Sequence, residues 1–547
     1  MRHRIYLALL AFLNAAAYSG AQIPMEEIDV IKKYRPVLSD LAKVQVKAEP
    51  PPRDTTRLPI TYRAWNEQLR MSFLPAEVKP LAVPRLADEP LQNNLIKAGF
   101  GTQLSPLLEA YLSKGRSSAA HYGLQTRFTS ARAVRVPFQS DSRWEAMLHG
   151  TSFFQQTALN GAITFDRNHF RYYAFSDPVE KPADYCSDGL LCTTLFGTGV
   201  QVGLRNTDPN KWAYEVRLRY RHQQQNALLP LLQDTVRWRP REGTIGVQAK
   251  LAKKISEESL ASLELHYQSA TYHADPTDTS LILVTASPSY THRFRSLVLK
   301  GGLRFYAGSE RVELFPLAEM QYKLAGDYLI AYAQLHKQYA LNTFQHVIAE
   351  NPYVIGYVPF SGKFIEALGG IKGVYAENLS YNFYLSHRWW KNQIFYYPFQ
   401  QLLLYYHAVA HPAGTTLLFG GEAQYRMAEN LAVRFEGSIS RWRPDGMDHP
   451  IGRIPHQGKV TVDYRVKEKI RVEAAVYAFT GVYTVTPAGD TVALTGVIDP
   501  NLTVTYHYRP HLSFWVGGYN LANMKQRQWY GYISYGIRAA GGVLILF

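Results

Sequence analysis

The chain has 547 residues, a formal charge of +15, and 38 Tyr, 25 Phe and 9 Trp. So many aromatics with almost no helical periodicity exclude an ordinary helical enzyme or bundle. There is no recognition helix and no basic run with interleaved aromatics, so the positive charge does not point to nucleic acid.

The first residues set the compartment. Arg2 and Arg4 precede an apolar stretch from Ile5 to Ala17, and Ser19-Gly20-Ala21 then stands before Gln22. This is the pattern of a cleaved secretory signal, residues 1–21, too short and wrongly flanked to span a membrane. No cysteine lies near the cleavage point, so no lipid anchor is expected. Beyond it, no apolar run approaches the roughly 20 residues that a spanning helix needs.

Residues 22–93 hold ten prolines, including Pro50-Pro51-Pro52, and no sustained alternation. Proline fixes φ and removes a backbone donor, so this stretch cannot form a continuous ladder. It reads as a Pro-rich N-terminal arm, either periplasmic or occupying a lumen.

From residue 94 to residue 547 the pattern changes to period two. Tyr214, Val216, Leu218 and Tyr220 alternate with Glu215, Arg217, Arg219 and Arg221. Leu431, Val433, Phe435 and Ile439 alternate with Ala432, Arg434, Glu436 and Ser440. Val460, Val462, Tyr464 and Val466 alternate with Lys459, Thr461, Asp463 and Arg465. Successive strand side chains point to opposite faces, so each segment has one apolar and one charged face. Aromatics near strand ends match the girdles of membrane barrels, and short connections alternate with long ones. The short ones include Asp208-Pro209-Asn210, Ala325-Gly326-Asp327, Ala428-Glu429-Asn430, Lys467-Glu468-Lys469 and Arg509-Pro510-His511. Long ones are expected near 177–195, 224–240, 340–361, 397–413, 443–454 and 481–495. The expectation is an all-β fold: a large closed antiparallel transmembrane β-barrel of about 22 strands, an even number, running from near Leu95 to Phe547. Unpaired backbone is costly in hydrocarbon, so the first strand must pair with the last.

Within that frame, Arg217, Arg219, Arg221, Arg434, Glu436, Lys459, Asp463 and Arg465, with Arg471 and Glu473, are candidates to line the lumen. Cys186 and Cys192, the two cysteines of the chain, flank a Gly-containing loop in an exported protein and are placed to form a disulfide. His407 and His411 read as loop residues at a strand end, without a third metal ligand. There is no Gly-x-Ser-x-Gly elbow, Walker loop or His-Glu-x-x-His motif, so no catalytic, cofactor or metal site is assigned.

The hairpin run beyond residue 94 and the stretch Trp515-Val516-Gly517-Gly518-Tyr519-Asn520-Leu521-Ala522-Asn523 resemble the barrel half of TonB-dependent receptors. In Gly542-Val543-Leu544-Ile545-Leu546-Phe547, Val543, Ile545 and Phe547 share a face expected toward lipid. The segment is similar to the closing strand that the outer-membrane insertion machinery reads. The resemblance implies an outer-membrane location, lipid contact and solute passage or uptake. Glu26-Glu27-Ile28-Asp29-Val30-Ile31 resembles a TonB box, which would make TonB a partner. The chain departs from the family in having only residues 22–93 between signal and barrel, where such receptors carry a larger plug. That leaves a rival reading, an accessory barrel of an outer-membrane assembly or secretion complex. A surface enzyme or adhesin is the third alternative.

Overall fold

The computed structural model describes residues 94–547 apart from 115–118, 134–138, 174–190, 207–211, 232–233, 309–311, 377, 400–404, 429, 468 and 526–527. In chain order the strands begin with β1 (Leu95–Gly101), β2 (Ser105–Lys114), β3 (Ala120–Arg132), β4 (Ser140–Phe154), β5 (Thr157–Arg171) and β6 (Cys192–Asn206). There follow β7 (Ala213–Leu231), β8 (Asp234–Trp238), β9 (Arg241–Ser256), β10 (Ser259–Ala274), β11 (Thr277–Phe294), β12 (Leu297–Gly308), β13 (Val312–Ala325) and β14 (Leu329–Asn342). A short helix, α1 (Phe344–Glu350), precedes β15 (Phe360–Tyr375), β16 (Leu379–Pro398), β17 (Tyr406–Ala428), β18 (Leu431–Pro444), β19 (His456–Val466) and β20 (Ile470–Thr480). The last are β21 (Tyr483–Val485), β22 (Thr491–Ala493), β23 (Val497–Arg509), β24 (Leu512–Tyr519) and β25 (Arg538–Leu546).

Twenty-two of these strands form one closed antiparallel ring; β8 pairs only with β7, and β21 with β22 form a separate hairpin. Among the described residues no helix is long and apolar enough to cross a membrane. The ring closes where β1 meets β25, in register from Leu95↔Leu546 to Gly101↔Ala540. Asn94 and Phe547 extend the ladder by exchanging two backbone hydrogen bonds of 3.1 Å. No edge is left, as hydrocarbon requires.

Burial is inverted relative to a soluble protein. Val216, Leu218 and Tyr220 on β7 and Ile245 and Leu251 on β9 are exposed, whereas Arg221, Glu242, Glu366 and Glu473 are buried. The polar face is the concave one, because side chains two strands apart meet there. Lys97 of β1 lies over the Trp515 ring of β24 at 4.5 Å, and the Tyr332 hydroxyl of β14 donates to Asn382 of β16 at 2.6 Å. The convex apolar belt suits hydrocarbon and would be insoluble in water. At the end carrying both β1's start and β25's finish, Phe154, Trp212, Phe294, Tyr328, Tyr375 and Tyr508 stand exposed in a girdle.

Connections at that end are short, as at Gln155-Gln156 and Pro510-His511. The opposite end departs from strict alternation, since residues 102–104 and 275–276 are tight turns there. Two long connections are shorter than their spacing suggested, because β7 runs on to Leu231 and β17 starts at Tyr406. His407 and His411 therefore sit inside a strand and not in a loop; β-pairing with Tyr397 and Gln393 overrides the local Pro-Ala-Gly signal.

The seam sets a steric condition. A Cβ on Gly542 would collide with the Ala98 carbonyl and lie 2.5 Å from Gly99 Cα, while Trp515 packs over Gly99. Overpacking of this kind costs about 1–3 kcal/mol, and here the backbone cannot yield without opening the ring. Gly542→Leu is expected to abolish the SDS-resistant, fast-migrating form on unheated gels. Gly301→Ala, where an added Cβ meets nothing within 4 Å, serves as the control and is expected to migrate normally. A normally migrating Gly542→Leu barrel would show that the seam tolerates a side chain.

Candidate functional site

The concave wall is charged and mostly paired. On β7, Arg217 bonds Glu215 at 3.0 Å, Arg219 donates to Gln201 at 3.1 Å, and Arg221 reaches Asp166 on β5 at 2.5 Å. Across the ring, Arg434 donates to Gln424 at 3.1 Å, Glu436 stands opposite Lys459 in register, and Arg465 stands opposite Arg471. Arg471 bridges Asp463 at 2.6 Å and Glu473 at 2.8 Å. These two groups of sequence-picked residues are not brought together: β9 to β17 separate them on one side. In 22 strands about 4.8 Å apart and tilted, that is nearly a full diameter, on the order of 40 Å. They form two facing stretches of wall and no single binding site.

A site the sequence reading missed lies at the end opposite the termini, where loops fold over the lumen. Loop 343–359 begins with α1, seven residues capped by Thr343, whose side chain accepts from His346 N–H. The buried Glu242 carboxylate of β9 accepts from Phe344 N–H at 2.7 Å and Gln345 N–H at 2.9 Å. Glu350 closes α1, held by Arg453 at 2.5 Å and by the Tyr396 hydroxyl at 2.6 Å. The chain then lies against the start of β17, where Ile355 N–H donates to the Tyr406 carbonyl and Tyr406 N–H to the Tyr353 carbonyl, both at 3.0 Å. Val347 and Val354 have no exposed surface.

Loop 520–537 comes from the far wall to meet this one. Tyr353 and Tyr532 stack at 3.5 Å with 12° between their planes. Phe170 of β5 meets Tyr353 edge-on at 5.5 Å, and Tyr172 meets Tyr405 at 4.9 Å. Trp529 sits against Tyr396 and Tyr406 at 5.2 and 5.4 Å. Hydrogen bonds tie the rim: Tyr173 hydroxyl and Gln139 amide both donate to the Ile533 carbonyl at 2.7 Å, and Tyr535 donates to Asp141 at 2.6 Å. Burial holds the Tyr353 and Tyr532 phenols well above their ordinary pKa, so both rings stay neutral. Because β5 and β14 are separated by seven ring strands, these contacts span the opening. The result is an aromatic plate across the mouth.

No family model and no curated protein matches the sequence. Solved structures match by shape. A variant of the ferric enterobactin receptor PfeA from Pseudomonas aeruginosa aligns over 83% of this chain and 80% of its own, with a TM-score of 0.62 and 10% identity. The siderophore receptor PirA from Acinetobacter baumannii gives 0.64, 83%, 80% and 10%. The FrpB iron transporter from Neisseria meningitidis gives 0.64, 83%, 82% and 10%. The fold is that of the siderophore-receptor barrels. The closed barrel, with its 22 strands, agrees in fold with the barrel portion of the resemblance to TonB-dependent receptors.

Other sequence-picked residues are placed as follows. Val543 and Ile545 project from the convex face of β25, as does Phe547 just beyond it; Ile545 and Phe547 are exposed. Cys192 opens β6 and is disulfide-bonded, while Cys186 lies outside the described residues. His407 packs on Phe399 at 4.6 Å, and the His411 ring hydrogen-bonds the Asp445 carbonyl at 2.9 Å. The residues of the signal and the Pro-rich arm lie outside the described residues. One signal pointed to the mouth: Trp529, Tyr530, Tyr532 and Tyr535 crowd seven residues of a single connection.

The stack and its buried neighbours hold two loops together. Removing both rings forfeits about 0.5–1.5 kcal/mol of aromatic pairing plus the burial of both side chains. Hydrogen exchange of amides in 343–359 and 520–537 is expected to speed up about tenfold or more in Tyr353→Ala/Tyr532→Ala, with barrel strands unchanged. Unaltered exchange in both loops would mean that the plate does not order them.

Proposed function

We propose that the chain is an outer-membrane barrel of the receptor type that admits a solute through a gated lumen. One observation supports this best: a wide, charged, concave wall lies beneath a mouth across which loops from opposite sides meet. An opening on the order of 40 Å across, left empty, would breach the permeability barrier. Arg217, Arg219, Arg221, Arg434, Glu436, Lys459, Asp463 and Arg465 are then lumen-lining groups that favour a hydrated solute.

In this reading residues 1–21 direct export, and residues 22–93 occupy or gate the periplasmic half. TonB would engage Glu26–Ile31 by adding a strand. Val543, Ile545 and Phe547 present the closing strand to the insertion machinery, and Cys186 pairs with Cys192 to brace the connection between β5 and β6. The chain carries no enzymatic role in this account.

Planar bilayers test it. The full-length chain is expected to be nearly silent. A variant lacking residues 24–90 and carrying Tyr353→Ala and Tyr532→Ala is expected to conduct as a wide pore. If that variant inserts and stays silent, passage is refuted. Stoichiometric partners co-purifying with the full-length chain in mild detergent would then favour the accessory-barrel reading.

A further inference from the structure

Arginines stand on both faces of the arc from β3 to β9. On the concave face of the arc, five have a protein acceptor: Arg127 with Glu109, Arg143 with Glu145, Arg217 with Glu215, Arg219 with Gln201 and Arg221 with Asp166, while Arg205, at the end nearer the termini, stands opposite Glu215 in register. On the convex face of the same arc stand Arg132, Arg167, Arg171 and Arg241. Alternation puts them in step with exposed Tyr122, Ile163 and Ile245 on their own strands. Arg132, Arg167 and Arg241 are exposed, Arg171 half-buried, and none has an ion-pair partner among the described residues. The Arg171 Nε is itself buried with no hydrogen-bond acceptor. No Asp or Glu occupies the convex face of β3–β7 or β9 among the described residues.

Their place along the strands is fixed by register. Arg167 pairs with Phe196, Phe196 with Gln224, and Gln224 with Arg241, so Arg167 and Arg241 share one row about 14 Å apart. Arg132 pairs with Ser140, near where Arg171 ends β5. Arg239, bonded to Asn226 at 3.2 Å, adds a further guanidinium to this edge. Trp144 and Phe196 flank Arg167 in its own row and meet Phe165, one pleat nearer the termini, edge-to-face, Trp144–Phe165 at 4.8 Å and Phe165–Phe196 at 5.3 Å. Below those come Leu148, Ile163, Val200 and Leu218, all exposed.

Reading from the mouth toward the termini, the convex surface is therefore guanidinium, then guanidinium interleaved with aromatic rings, then aliphatic. An amphiphile with a phosphate headgroup and acyl chains has the same order. A guanidinium presents a planar fork that matches phosphate oxygens two at a time, and at a low-dielectric boundary an unpaired one calls for an anion. We propose that this arc binds a phosphorylated glycolipid of the outer leaflet, its phosphates held by Arg132, Arg167, Arg171 and Arg241 and its chains lying on the aliphatic belt. The proposal rests on the outer-membrane reading above.

Native mass spectrometry of the full-length chain in mild detergent, with bisphosphorylated lipid A as probe, tests it. The unaltered chain is expected to retain the probe and to hold lipid A stripped of phosphate about tenfold less. The variant Arg132→Gln/Arg167→Gln/Arg171→Gln/Arg241→Gln is expected to lose retention of the phosphorylated probe by a similar factor. Equal retention of the stripped lipid by the unaltered chain overturns the proposal without relying on any variant to fold. Release of the probe by millimolar inorganic phosphate also overturns it, assigning the patch to the free anion. A chain that fractionates with the outer membrane yet ignores the phosphate refutes this inference alone and leaves the membrane reading intact.

Discussion

Backbone hydrogen bonding in hydrocarbon is the constraint on which everything else in this molecule depends. An unpaired N–H or C=O in a bilayer costs several kcal/mol, and a sheet can avoid that only by having no edge. The pairing of β1 with β25 removes both edges at once and is carried to the last residue by Asn94 and Phe547. The glycines at the seam follow from it, since Gly99 and Gly542 leave room for Trp515 and for the opposing backbone. So does the inversion of burial: once the outside meets lipid, charge has only the concave face and the rims to occupy.

Enclosing a lumen this wide leaves a broad mouth, and at one end loops meet across it through side chains that bury well without charge. Tyrosine suits this role, because its ring packs while its hydroxyl finds a carbonyl or carboxylate, as Tyr396 does with Glu350 and Tyr535 with Asp141. Such a plate is held by many modest contacts between separate loops, and loops are drawn from the less stable part of a fold. It can therefore give way while the ladder of the barrel stays intact, as the gated passage proposed above requires.

The barrel was legible in the sequence because its cause is local. Period-two alternation, as in Tyr214 to Arg221, follows from strand geometry residue by residue, and turn residues mark each reversal. The count near 22 and the closing strand came from the same rhythm. The inward direction of Arg217 or Asp463 was readable for that reason, but their partners across strands were not, since register is a tertiary property. The mouth was illegible because Tyr172, Tyr353 and Tyr532 are brought together from connections far apart in the chain, with no period to announce them. His407 and His411 were misplaced because a Pro-Ala-Gly run resembles a loop until a long neighbour, β16, pairs with it. The basic arc on the convex face was hidden among alternating positions whose place along the strands only register reveals.

Spin-label accessibility along β7 probes the central claim most directly, in a background with Cys186 and Cys192 replaced and the protein reconstituted in lipid. Single cysteines at positions 214 to 221 are expected to alternate. Labels at 216, 218 and 220 should be relaxed by oxygen dissolved in the bilayer, and labels at 215, 217, 219 and 221 by a water-soluble nickel chelate or by neither. A flat profile, or one in which water reaches the apolar positions, would contradict a closed barrel standing in lipid.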